Sequence, residues 1–203
     1  MTSTCNVTFG EPHPTFYFDV GSPYAYLTAE RIDAVLPGPV TWQPISLGGL
    51  FKANGRSSWA LAGSEPRGAG IAEVERRARA YGLPPVRWPE PWPSNYLFAM
   101  RALTFAFARG FGREFALAAF RAGFVAGRDL AVPEHVLDAA ADAGLDRQEV
   151  ADATADSDVK LALRNATDAA HARGVIGVPT VAVEGRLFFG DDRLGEAAAS
   201  VGV

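Results

Sequence analysis

The residue in this chain best placed to do chemistry is a serine. Ser22 lies in residues 16–27, FYFDVGSPYAYL. There an aromatic, apolar run stops at Gly21, Ser22 and Pro23, and apolar residues recur at Tyr26, Leu27, Ile32, Val35 and Leu36. Serine at a cap with proline at the first helical position marks a helix start. The hydroxyl then sits among unpaired backbone N–H groups at the positive end of a helix, a corner that stabilises anions. Two other readings compete. One makes Ser22 an N-cap and nothing more. The other is a Ser–His–acid hydrolase, which needs a G-x-S-x-G elbow and a partner histidine. This chain reads VGSPY, and His13, His135 and His171 fall in a polar leader or in Ala-rich helical segments, so a triad is disfavoured.

A second informative stretch lies far away in the chain, at residues 174–194, GVIGVPTVAVEGRLFFGDDRL. A Val178-Pro179 step precedes a strand over 180–183, a tight turn at Glu184 and Gly185, and a strand over 186–189. Proline directly before a strand suits an edge or a cis bond, and the sequence leaves both open.

These two stretches need a frame. The run over 16–20 reads as a strand buried on both faces, with a helix over 24–36 after it and a second strand over 40–46. The gap from there to the strand at 180 far exceeds the ~10–12 residues of a parallel crossover. Helical patterns fill it, over 71–81, 94–109, 113–126, 133–143, 147–154 and 158–173, with Ser94 as an N-cap and Gly144 and Gly174 at helix ends. Residues 48–70 and 84–93 read as irregular.

Composition narrows the function classes. With 203 residues and 48% hydrophobic content, the chain is one large domain or a domain carrying an insertion. A net charge of −4 without a long basic run argues against nucleic acid, and Arg76, Arg77 and Arg79 alternate with Glu73 and Glu75 as a solvated helix face does. The single Cys5, in the leader, cannot form an internal disulfide. The absence of a signal-peptide pattern and of any run near ~20 apolar residues leads to the expectation of a soluble, cytoplasmic protein.

Taken together, FYFDVGSPYAYL and GVIGVPTVAVEGRLFFGDDRL resemble the 2-hydroxychromene-2-carboxylate isomerase and kappa-class glutathione transferase family, the redox-inert branch of the DsbA-type thioredoxin-fold proteins. The resemblance implies an α/β fold, a thioredoxin-like core (15–47 and 174–203) interrupted by an α-helical insertion domain (48–173). Thiol oxidoreductases of this fold carry Cys-x-x-Cys where this chain has Ser22, Pro23, Tyr24 and Ala25, so the corner suits a borrowed thiolate. Lowering a thiol's pKa by about two units takes ~2.7 kcal/mol. A helix terminus supplies ~0.3–2 kcal/mol and a hydroxyl donating to a charged acceptor ~1.5–3 kcal/mol.

The resemblance further implies glutathione as cofactor, with Val178 pairing to its cysteinyl backbone and Pro179 cis. Asp192, ahead of Asp191, would receive the γ-glutamyl ammonium; Asp191 otherwise reads as a helix cap. Where the family often has Lys and then Gly-Asn, this chain has Lys52, Ala53, Asn54, Gly55 and Arg56, so Asn54, Arg56 or Arg67 is expected to take the glycyl carboxylate. Asn95, Tyr96, Trp59, Trp88 and Trp92 are expected to border a small aromatic substrate, although packing alone also explains tryptophans. The implied activity is a glutathione-dependent cis–trans isomerase of a 2-hydroxychromene-2-carboxylate-like acid, acting as a homodimer. The alternatives are a kappa-like transferase and a thiol-independent ligand-binding or biosynthetic accessory protein.

Overall fold

The computed structural model of the protein describes residues 13–202; Cys5 and most of the leader lie outside them. The expected strand over 16–20 is β1 (Thr15–Phe18), buried along its whole length. It pairs in parallel with β2 (Thr41–Pro44), placing Phe16 opposite Trp42, and antiparallel with β3 (Thr180–Val183), placing Phe16 opposite Val181. β4 (Arg186–Phe189) completes the sheet in the order β2-β1-β3-β4. Edge position is what lets β2 keep Pro44. The β3–β4 turn takes positive φ at both Glu184 (49°) and Gly185 (81°), the twist that a two-residue hairpin needs.

Alternation along β1 fills both faces. Phe16 and Phe18 pack with Trp42, Phe107 and Phe120 on one side, while Tyr17 joins Ile45, Leu50, Val175 and Val178 on the other. The continuous apolar run therefore reports a sheet covered on both faces.

The helix expected over 24–36 is broken. α1 (Pro23–Ala29) ends at Glu30 and α2 (Ile32–Val35) restarts after Arg31, a break that accompanies full burial of both Ile32 and Leu36. Residues 48–70, expected to be irregular, are largely helical: α3 (Leu47–Asn54), a 3-10 turn (Trp59–Leu61) and the start of α4 (Ser64–Ala80). Gly48 and Gly49 hide α3 from a propensity reading, yet its ends are well marked. Ser46 Oγ accepts from the Gly49 N–H at 3.1 Å, and Gly55 closes the helix at φ 62°. α5 (Leu97–Ala108) begins three residues after the expected Ser94 cap, whose hydroxyl instead donates to the Pro91 carbonyl. α6 (Gly112–Phe124), α7 (Pro133–Asp142), α8 (Arg147–Ala155) and α9 (Ser157–Ala172) follow the expected spans closely, and α10 (Leu194–Ala198) ends the fold. α9 packs on β2 and α3, and α6 on α1. No helix among the described residues is long and apolar enough to cross a membrane.

Candidate active site

Ser22 caps α1 as its sequence implied: Oγ accepts from the Ala25 N–H at 3.2 Å. Because α1 has only two turns, its dipole contributes at the weak end of the usual range. Across the corner, the hydroxyl lies 3.4 Å from the Val178 carbonyl, a long contact for an O–H donor. The Val178-Pro179 bond is cis. Residues 156 positions apart thus meet at one wall of a cavity of about 700 Å³.

Tyr24, Trp59, Trp92, Tyr96 and Phe51 give this cavity an aromatic lining. Two glycines make room for it. A Cβ at Gly21 would meet the Tyr96 ring at 2.2 Å, and one at Gly70 of α4 would meet the Trp59 ring at 2.2 Å. Trp59 and Trp92 then pack with centroids 5.3 Å apart. Burial pushes the Tyr96 phenol up to about 12 and also raises that of Tyr24, so both hold their protons at neutral pH. Four large apolar side chains, Leu61, Leu97, Ile176 and Phe189, are exposed at the rim.

Charge on the lining is unevenly placed. Lys52 and Arg56, on and after α3, present cations. Asp19 presents a carboxylate that is 4% exposed, with Oδ1 accepting from the Gly21 N–H and Oδ2 from the Leu47 N–H, each at 2.8 Å. Burial outweighs those two bonds and pushes this carboxyl up to about 6. Asp19 is the site residue that sequence reasoning left unused, although one acid inside the apolar run FYFDV was the signal for it.

Of the residues expected at the site, the structure gathers Ser22, Val178, Arg56, Trp59, Asn95 and Tyr96 on the cavity wall, with Trp92. Asn95 also starts α5, accepting from the Leu97 N–H at 3.0 Å. The others sit elsewhere. Pro179 lies behind Val178, its carbonyl bonded to the Gly190 N–H. Asn54 is the last residue of α3, so the helix that replaces the expected loop carries its buried amide off the cavity wall. Arg67 donates to the Trp92 carbonyl at 2.7 Å and so holds the loop from behind. Trp88 donates to Glu75 and packs behind Trp92.

Asp191 and Asp192 occupy a 3-10 turn (Asp191–Arg193) that packs against α1, off the cavity wall. Asp191 is buried and accepts from Arg77 at 2.7 Å and from the Tyr81 hydroxyl at 2.9 Å, so it is already used and caps nothing. Asp192, preferred for an ammonium, is exposed 3.5 Å from Arg77.

The architecture has known counterparts. A solved 2-hydroxychromene-2-carboxylate isomerase matches with a TM-score of 0.80 and 22% identity over 92% of each chain. A probable DsbA oxidoreductase from Streptomyces coelicolor gives 0.74 and 22%, over 92% of this chain and 88% of that one. The cytosolic disulfide reductase DsbM from Pseudomonas aeruginosa, solved with GSH, gives 0.65 and 18%, over 92% and 94%. At such identities the likeness speaks for the fold. No curated protein sequence matches. The model of the DSBA-like thioredoxin domain covers residues 15–201, a span holding all four strands and both halves of the Ser22–Val178 corner. The chain therefore belongs to the DSBA-like thioredoxin domain family.

Proposed function

We propose that this protein is a glutathione-dependent isomerase of an aromatic, 2-hydroxychromene-2-carboxylate-like acid. The observation that carries the reading is the Ser22–Val178 corner, open to an aromatic cavity with a hydroxyl where disulfide enzymes of this fold carry sulfur. Two similar folds support it: one is named for that isomerase and another was solved with GSH.

The residues present fit the thiol and carboxylate ends of glutathione. Ser22 has a donor whose resting contact is long, and a charged acceptor makes the stronger bond. Lys52 and Arg56 would hold carboxylates, of the tripeptide or of the substrate, and the Val178 edge would pair with peptide backbone. The γ-glutamyl ammonium does not find Asp191, which Arg77 and Tyr81 already occupy. When bound, glutathione supplies a thiolate that adds reversibly to a conjugated double bond, freeing rotation before it leaves. Ser22 stabilises the anion at arrival and departure and stays protonated itself. Tyr24, Trp59, Trp92 and Tyr96 hold a flat ring and exclude water from it.

Turnover followed by the substrate's ultraviolet spectrum tests this. Losing a hydrogen bond to a charged group costs ~1.5–3 kcal/mol, so Ser22→Ala is expected to slow the glutathione-dependent reaction about 10–100-fold. Equal rates for both proteins, with and without glutathione, would remove the mechanism. A transferase would leave the tripeptide on the product, which mass spectrometry resolves. The position of Asp191 and Asp192 off the cavity wall favours a thiol-independent binder as second reading, and calorimetry showing no binding heat with glutathione would select it.

A further inference from the structure

A thiol that becomes an anion inside the cavity must give its proton to something, and Ser22, already protonated, cannot take it. The titratable groups on the described cavity wall are Asp19, Tyr24, Lys52, Arg56 and Tyr96. Tyr96, on the approach to α5, lies within electrostatic reach of Asp19, and Tyr24 of α1 lies towards Arg77 and Asp191; both carry protonated phenols, and Lys52 and Arg56 line the cavity from α3 and the loop after it as cations. None of these four is a base. Asp19 is: among the described residues its carboxylate touches two backbone N–H groups and no cation, and each oxygen keeps a second lone pair on which a proton can sit without breaking either bond.

We propose that Asp19 is the acceptor of the thiol proton, an inference that rests on the glutathione reading above. Asp19 Oδ takes the proton as the S–H bond breaks and the electron pair stays on sulfur; when the thiol leaves, Asp19 returns it. Charge on the carboxylate disappears as charge on sulfur appears, so the buried cavity never holds both anions, an arrangement that like-charge repulsion would penalise. Burial has already drawn the carboxyl upward, towards the range of a thiol, which reduces the cost of the exchange.

Calorimetric titration with glutathione in two buffers of different ionisation enthalpy, at about pH 7 where a free carboxyl is charged and a free thiol is not, reads the proton directly. The wild type is expected to release close to no proton per thiol bound, and Asp19→Asn to release close to one. Equal release by both proteins overturns the proposal. Carbon-13 carboxyl NMR of the wild type is independent of any variant. The Asp19 signal is expected to move to its protonated position with glutathione and to stay put with S-methylglutathione, and a fixed signal despite binding heat overturns the assignment of Asp19 alone. No binding heat at all overturns the thiol reading and this proposal together.

Discussion

Asp19 is unusual among the described acids because burial, with no described cation bonded to it, sets its ionisation. Moving its carboxyl from an ordinary 3.8 to about 6 corresponds to ~3 kcal/mol. The folded state keeps this proton to higher pH than the unfolded chain, so the group's stabilising contribution is complete below pH 3.8 and is lost as the pH rises to about 6. Asp19→Asn has no such loss. Denaturant unfolding is expected to show the wild type falling by ~2.4 kcal/mol relative to the variant between pH 4 and pH 7, and parallel pH profiles would refute the assignment. Ser22 was legible in the sequence because its role is local, a cap beside a proline. Asp19 was less so, since its second partner, the Leu47 N–H, comes from a helix that the sequence did not reveal.

Elements that place the site were read unevenly, and the glycines explain why. The strands and α6 to α9 follow from apolar patterning together with turn and helix-end residues. α3 and the first turns of α4 are rich in glycine, which argues against helix locally. Of these glycines only Gly70 has its reason in a close contact, with the Trp59 ring, while Gly48 and Gly68 face open space; before α1, Gly21 likewise makes room for the Tyr96 ring. Gly21→Ala places a methyl 2.2 Å from Tyr96, and overpacking of this kind costs ~1–3 kcal/mol. A thermal melt should show that loss, and pairing the change with Tyr96→Ala should recover part of it; fully additive losses would mean the two positions do not touch. The aromatic wall was legible as residue types, but which tryptophans face the cavity was not. Trp59 and Trp92 do, whereas Trp88 is turned away by its bond to Glu75.

At the scale of the molecule, one buried ion pair ties the helical segment to the end of the sheet. Asp191, with its side chain 1% exposed, is held by Arg77 of α4 and by Tyr81. Removing the cation strands a buried carboxylate, a change that costs ~3–5 kcal/mol in comparable pairs. Arg77→Ala is expected to approach the lower figure because the Tyr81 bond remains, as urea unfolding would measure; a change under ~0.5 kcal/mol, the scale of surface substitutions, would show the pair to be idle. The motif GDDR thus marks a structural joint in this chain, which sequence could not reveal because Arg77 lies more than 100 residues away. A solved isomerase and a probable DsbA oxidoreductase share this scaffold, so the fold alone does not set the function. The most direct test is the ionisation of bound glutathione, followed by far-ultraviolet thiolate absorbance as pH is varied. The account predicts a thiol pKa about two units below that of free glutathione in the wild type and close to the free value in Ser22→Ala. A bound thiol that ionises alike in both proteins would contradict it.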